Sequence, residues 1–392
     1  MESKKFGLNT VCTHVGGVKD EQFKGAVSPL FMSSSYAYEG VDVKRYPRYF
    51  NTPNQEALGK KIAHLEHKES ALIFGSGMAA VSTAMLGFLH KGDHVVLQKT
   101  LYGGTFNFVT EQFVKFGIEY SFADGFGAEA FISQIRDNTK LIYIETPSNP
   151  LMLLTDMEMI SQIAKPRGIV TMIDNTFASP VNQNPGDFGI DVIIHSATKY
   201  MGGHSDICAG AVAASEAHIQ QIWGIAKNLG GSLSDYTVWL LERSIKTMGI
   251  RVKAQNQNAK KMAKWLDKHP LVSRVYYPGL KSHPDHDIAK RQMRGYTGML
   301  SFELIESMNA ELFMKSLKLI KQSMSLAGVE STMLSPAKTS HALLTDEERA
   351  HQGISDGLIR FSVGIEEKKD LVADLEQAFE NAAKHQLENS MV

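Results

Sequence analysis

From Lys68 to Ser215 short apolar runs of strand length alternate with longer segments of helical period, and this alternation restricts the fold more than any other feature of the chain. The strand candidates are Ala71 to Phe74, His94 to Gln98, Glu119 to Ala123, Leu141 to Glu145, Val170 to Asp174, Val192 to Ser196 and Ala209 to Ala214. All are short, and most contain Val or Ile. The pattern predicts an α/β domain with a mostly parallel sheet and crossover helices. Between the fourth and fifth candidates, Thr155-Asp156-Met157-Glu158 has the form of a capping box that opens a helix with Met157, Ile160 and Ile163 on one face.

A chain of 392 residues exceeds what one hydrophobic core organises, so a second domain is expected. A helical stretch from Tyr236 to His269 joins the two. Beyond it, strands near Arg274 to Tyr277, Met299 to Leu304 and Leu358 to Ile365 predict a smaller α+β domain. A closing helix from Lys368 to about Lys384 carries Leu371, Leu375 and Phe379 at helical spacing. The first 60 residues, with Pro29, Pro47 and Pro53 among tyrosines and phenylalanines, read as an arm that docks on another subunit. The expected division is therefore an arm at 1–60, a large domain at 61–255 and a small domain at 256–392. His385 to Val392 is polar and expected to fray.

The formal net charge is -1 and no apolar run is long enough to span a bilayer, so neither nucleic acid nor a membrane is an expected partner. Small polar metabolites are. Met1 to Lys5 is charged and no signal-peptide stretch follows it, which points to the cytoplasm. Cys12 and Cys208 have no neighbours at metal-site or redox spacing; no metal is expected, and both read as buried, small apolar residues.

The chemistry centres on Val192-Ile193-Ile194-His195-Ser196-Ala197-Thr198-Lys199-Tyr200 and the Gly202-Gly203 turn behind it. In an extended segment Ser196 and Thr198 share a face, so their hydroxyls could meet one anion with Lys199 beside them. A lysine in such surroundings can lose its proton and form an imine, although a surface lysine after a strand would look the same in isolation. Asp174 ends the apolar strand Ile169 to Ile173, at the carboxyl edge where open α/β sheets bind ligands. It could pair with a pyridine nitrogen, or simply serve as a helix cap or turn acid.

Phe74-Gly75-Ser76-Gly77-Met78-Ala79-Ala80 follows a strand and opens a helix, a phosphate-binding arrangement. It also reads as a dinucleotide fingerprint. A nicotinamide enzyme would then need an acid at the end of the next strand, where Val96-Leu97-Gln98-Lys99 has none. Arg360, in Leu358-Ile359-Arg360-Phe361-Ser362-Val363, sits in a strand too apolar for an unpaired guanidinium. A substrate carboxylate or a protein carboxylate would serve equally.

These segments, with Tyr102-Gly103-Gly104-Thr105, Glu145-Thr146-Pro147-Ser148-Asn149-Pro150, Asp174-Asn175-Thr176 and Ser325 to Ser331, run in one order from about Thr10 to Ile365. Together they resemble the cysteine and methionine metabolism family of pyridoxal-phosphate enzymes. The resemblance implies a fold-type I, aminotransferase-like subunit in a homotetramer built from two active-site dimers, with pyridoxal 5′-phosphate bound to Lys199. It implies that backbone groups of Gly77 and Met78 and the hydroxyls of Ser196 and Thr198 hold the phosphate. Tyr46 and Arg48 complete that site from the neighbouring subunit. Asp174 meets the ring nitrogen and Asn149 the phenolic oxygen, while Tyr102 stacks on the ring and exchanges a proton at the leaving group. Arg360 grips the substrate α-carboxylate.

The same resemblance implies an enzyme that eliminates a γ-substituent, or a β-substituent, from a sulfur amino acid; γ-replacement on an O-acylhomoserine is the alternative. Glu330-Ser331 is similar to the pair in the cystathionine enzymes and methionine γ-lyase. Asn107 stands where the cystathionine enzymes usually have an arginine, and Gly104 where methionine γ-lyases have a cysteine. A non-enzymatic regulator of this ancestry would carry an added DNA-binding module, and none is expected from this sequence.

Overall fold

A computed structural model describes residues 6–339, 347, 349 and 353–390, with side chains in the closing helix as far as His385. Met1 to Lys5, the charged N-terminal stretch, lies outside the described residues. The chain divides into two compact units, Met1–Thr146 with Thr155–Ile250 and Pro147–Leu154 with Arg251–Val392.

The first unit is built on a seven-stranded sheet of β1 (Ser70–Phe74), β2 (His94–Leu97), β3 (Glu119–Phe122), β4 (Thr139–Glu145), β5 (Val170–Asp174), β6 (Val192–His195) and β7 (Gly210–Ala214). Their spatial order is β1-β7-β6-β5-β4-β2-β3. Neighbours from β6 through β3 run parallel, and β7 lies antiparallel to both β6 and β1. Successive residues of the central strands enter opposite cores. Tyr143, Met172, Val192 and Ile194 pack on one side, and Ile142, Ile144, Ile173 and Ile193 on the other. Burial on both faces explains why these strands read as unbroken apolar runs.

The helices of this unit include α1 (Leu8–His14), α2 (Pro53–Leu65), α3 (Gly77–Phe88) and α4 (Gly103–Phe116). Thr52 caps α2 through a capping box with Gln55, and Pro53 takes the first helical position, where a missing N–H costs nothing. The helix Met157–Ala164 buries Met157, Ile160 and Ile163 as expected, but its cap is Asp156. Asp156 accepts from the N–H groups of Glu158 and Met159, while the Thr155 hydroxyl is drawn away to donate to Gln98 at 2.6 Å. The helical stretch after Tyr236 is two helices, Asp235–Ile245 and Met248–Leu266. At Lys246 and Thr247 the bonding slips to carbonyls three residues back, just before Gly249.

Cys12 is buried as expected, but Cys208 is exposed. It lies in the loop before β7, where Ile207 takes the interior position instead.

The second unit has a five-stranded sheet ordered β10-β11-β12-β9-β8, from β8 (Val272–Tyr276), β9 (Met299–Leu304), β10 (Lys321–Gln322), β11 (Thr332–Leu334) and β12 (Leu358–Ser362). β12 stops three residues before the expected Ile365. Gly364 passes so close to the Val329 carbonyl that a Cβ would come within 2.3 Å of it. The closing helix, Lys368–Ser390, buries Leu371, Leu375 and Phe379. Its backbone stays helical to Ser390 instead of fraying from His385, in keeping with the helix-favouring Gln386, Leu387 and Glu388; Met391 and Val392 lie outside the described residues. Among the described residues no helix is long and apolar enough to cross a membrane.

Candidate active site

In the first unit, α3 starts at the carboxyl end of β1. The Ser76 side chain accepts from Ala79 N–H at 3.0 Å and the Ser76 carbonyl accepts from Ala80 N–H at 3.1 Å. The N–H groups of Gly77 and Met78 precede any carbonyl of the helix that could take them, so they present positive ends to an anion. A Cβ on Gly77 would lie 2.8 Å from Ser196 Cβ and 2.9 Å from its hydroxyl oxygen. Glycine is what allows the start of α3 and Ser196 to converge on one spot.

β6 ends at His195, and the chain then turns. Lys199 N–H donates to the Ser196 carbonyl at 3.1 Å, and Gly203 N–H donates to the Lys199 carbonyl at 2.7 Å. Ser196 and Thr198 are therefore not on a shared face of an extended strand. The Thr198 hydroxyl accepts from Ala209 N–H at 3.0 Å and donates to the Ala209 carbonyl at 3.2 Å, which ties the lysine turn to the start of β7.

Asp174 pairs in register with Glu145 of β4 and Ile194 of β6, at the carboxyl edge of the sheet. Burial pushes its carboxyl up; hydrogen bonds from Thr176 and the charges of His195 and Lys199 pull it back down. Thr176 joins the two strand ends. Its N–H donates to Asp174 at 2.9 Å, and its hydroxyl accepts from Ser196 N–H at 2.8 Å.

Tyr102 precedes α4 and is 49% exposed, with its N–H held by the Glu145 carboxylate at 2.8 Å. Its ring lies over Gly104: a Cβ there would come within 2.6 Å of Tyr102 Cε1 and 3.0 Å of Met78 Sδ. Tyr102 thus stands beside the phosphate-type cradle. Asn107 is exposed on α4. Tyr46 and Arg48 are exposed too, with the guanidinium 5.6 Å from the Tyr46 ring centroid and 5.2 Å from that of Tyr49. Arg48 also donates to the Lys227 carbonyl.

The second unit holds the other expected residues. Arg360 is buried in β12; it donates to Asn149 Oδ1 at 3.2 Å and to the carbonyls of Met324 and Ser325 at 3.0 and 3.2 Å. Accepting through Oδ1 leaves the Asn149 amide N–H groups as donors. Ser331 is buried and donates to Glu366 at 2.8 Å, while its neighbour Glu330 is exposed.

Sequence reasoning missed Thr176, Glu145 and Glu366 as supports, and a buried acid, Glu66, bonded to His195. The visible signal was a histidine ending the apolar strand Val192-Ile193-Ile194. The donors of the first unit suit a group that carries a phosphate, an aldehyde and a ring nitrogen. Two amide N–H groups and a hydroxyl would suit the first, an amine the second and a carboxylate the third.

Comparisons with known proteins agree. The family model described as Cys/Met metabolism PLP-dependent enzyme matches residues 9–380. The chain is 42% identical to a cystathionine gamma-lyase of Bacillus subtilis, over 93% of this chain and 97% of that protein. It is 41% identical to a cystathionine beta-lyase of Lactococcus lactis, again over 93% and 97%. A crystal structure of cystathionine gamma-lyase from Lactobacillus plantarum complexed with L-serine superposes with a TM-score of 0.93 at 36% identity, over 96% of this chain and 100% of that one. With Lys199 turned beside Asp174, and Ser196 beside the start of α3, this chain belongs to the Cys/Met metabolism family of pyridoxal-phosphate-dependent enzymes.

Proposed function

We propose that this enzyme is a carbon–sulfur lyase that eliminates the γ-substituent, or the β-substituent, of a sulfur amino acid and releases a 2-oxo acid, ammonia and a thiol. The observation that carries this reading is the grouping of an amine, a buried carboxylate and an anion cradle at one sheet edge, in a chain whose relatives bear lyase names. Bound there, pyridoxal 5′-phosphate supplies an aldehyde for covalent attachment and a ring that accepts an electron pair.

The residues divide the remaining work. Gly77, Met78 and Ser196 hold the phosphate, joined by Thr198 once its hydroxyl turns from the Ala209 carbonyl, and by Tyr46 and Arg48 of a neighbouring copy in a homotetramer. Asp174 keeps a proton on the ring nitrogen, and Asn149 donates to the phenolic oxygen. Arg360 takes the substrate α-carboxylate with two parallel N–H groups. Lys199 Nζ removes the Cα proton and carries protons to and from Cβ. Tyr102 hands a proton to the departing sulfur. Glu330, Ser331 and Asn107 sort substrates by their distal ends. The enzyme works in the cytoplasm.

One residue favours a second reading, γ-replacement on an O-acylhomoserine: Asn107 offers no charge to the distal carboxylate of cystathionine, and an O-acetyl ester has none. The test is incubation of the purified enzyme with cystathionine, methionine, homocysteine and O-acylhomoserines, with and without an added thiol. Oxo acid and ammonia without thiol support the lyase. Thioether formed only with thiol would replace that reading with the second.

A further inference from the structure

Beneath the cofactor residues of the first unit lies a buried polar network to which cofactor and substrate binding assign no role. Glu66, just after α2, is fully buried, and His195 is 2% exposed. The His195 Nε2 atom is hydrogen-bonded to Glu66 Oε1. The same carboxylate oxygen accepts from Asn175 Nδ2 at 2.9 Å, and Oε2 accepts from Asn184 Nδ2 at 3.4 Å. Asn175 is fixed from its other side, since Gln183 Nε2 donates to Asn175 Oδ1 at 2.9 Å and to the Thr146 carbonyl at 2.8 Å.

The placement of these residues is specific. Asn175 directly follows Asp174 and His195 directly precedes Ser196, so one carboxylate grips both strand ends. Thr176 ties the same two ends a second time. A buried carboxylate and imidazole are costly to desolvate, and well-packed apolar side chains would hold two strands together at least as well. What apolar residues would lack is directional hydrogen bonding to the side chains that flank Asp174 and Ser196. Glu66 fixes such groups on both sides of the site, holding the Asn175 amide next to Asp174 and the His195 ring next to Ser196.

We propose that Glu66 and His195 are a positioning pair for Asp174: Glu66 anchors Asn175 and His195, and so holds the two strand ends in the register that aims the Asp174 carboxylate at the cofactor ring nitrogen and keeps that nitrogen protonated. The inference rests on the proposed role of Asp174 as the partner of that nitrogen.

The experiment uses holoenzyme loaded with cofactor isotopically labelled at the ring nitrogen, whose NMR resonance reports protonation directly. Asp174→Asn is the reference for a nitrogen that has lost its proton. Glu66→Gln keeps the shape and an acceptor but removes the charge, and His195→Gln keeps a donor near the Nε2 position without an imidazole. Both are expected to move the resonance toward the Asp174→Asn position and to weaken cofactor binding roughly tenfold. If His195→Gln does not fold, the near-isosteric Glu66→Gln decides. Folded variants with a wild-type resonance overturn the proposal, even where melting temperature or cofactor affinity falls, because the pair is then scaffolding only. A wild-type resonance in Asp174→Asn overturns instead the assignment of Asp174 itself, and the proposal with it.

Discussion

Arg360 and Asn149, 211 positions apart in sequence, are hydrogen-bonded at 3.2 Å through the asparagine carbonyl oxygen. The carbonyls of Met324 and Ser325 also accept from this guanidinium; being neutral, they set its plane without cancelling its charge. Asn149→Asp would place a carboxylate against it and compete with the substrate. The expected result is a KM raised about tenfold or more, since a charge-assisted hydrogen bond is worth roughly 1.5 to 3 kcal/mol. Arg360→Lys, which loses the paired N–H groups, is expected to lower kcat/KM by a similar factor. Steady-state kinetics decide; an unchanged KM in both variants removes Arg360 from the substrate site.

Lys199 and Arg48 test whether sites are shared between copies. Lys199→Ala is expected to retain cofactor through the phosphate contacts yet to be inactive, because its proton carrier is gone. Borohydride should fix the cofactor to Lys199 in the wild type and to no peptide of the variant. Arg48→Ala is expected to bind cofactor more weakly with little change in melting temperature, since the side chain is exposed. Mixed Lys199→Ala and Arg48→Ala subunits should regain some activity, because a hybrid dimer holds one intact site. No recovery after verified exchange would show that Arg48 serves its own subunit.

The sequence made the sheet legible because β4, β5 and β6 are buried on both faces, so their apolar runs could hardly be anything else. Asp174 stood out for the same reason, as an acid closing such a run. Relationships between distant segments were not legible. Glu66 lies 129 positions from His195, and nothing in Leu65-Glu66-His67 marks that acid as buried. The turn after His195 was misread as extended because Ser-Ala-Thr carries no strong turn residue before Gly202. The Asp156 cap was misassigned to Thr155 because either residue can cap, and Gln98, which draws Thr155 away, is 57 positions earlier.

Gly104 constrains Tyr102. A side chain there would press its Cβ to within 2.6 Å of the tyrosine ring, and the ring, half exposed, is what would move. Gly104→Ala is expected to leave the melting temperature nearly unchanged and to lower kcat by about tenfold to a hundredfold through misplaced proton transfer. Cofactor absorbance should persist. A wild-type kcat would show that the site accommodates a Cβ at position 104 with Tyr102 still in place.

His94 makes stability depend on pH. It is buried between Thr139 at 2.8 Å and Ser121 at 3.1 Å, and burial first, then the nearby Arg136 charge, push its pKa from the ordinary 6.5 down to about 4. The unfolded chain takes up this proton below 6.5 and the folded chain only near 4. The contribution is thus complete above 6.5 and is lost as pH falls toward 4. His283, lowered to about 4 mainly by burial, acts in the same direction. Melting temperature should fall between about pH 6.5 and pH 4.5, and His94→Gln should flatten that slope. An equal slope in the variant would assign the acid sensitivity to other groups.

The proposed sorting of substrates by Asn107, exposed on α4, can be tested by giving that position a charge. Cystathionine carries a second carboxylate, and a neutral amide is a weaker partner for it than a guanidinium. A charge-assisted hydrogen bond is worth roughly 1.5 to 3 kcal/mol, so Asn107→Arg is expected to raise kcat/KM for cystathionine about tenfold or more. Methionine and O-acetyl esters, which lack the distal carboxylate, should gain nothing. Glu330 supplies the complementary half of the test, because its exposed carboxylate can pair with the distal ammonium of cystathionine and keep that substrate acceptable despite Asn107. Glu330→Ala should then impair cystathionine far more than methionine. If the wild type already prefers cystathionine and Asn107→Arg is neutral or harmful, a cation elsewhere meets the distal carboxylate, and the case for γ-replacement built on Asn107 falls with it.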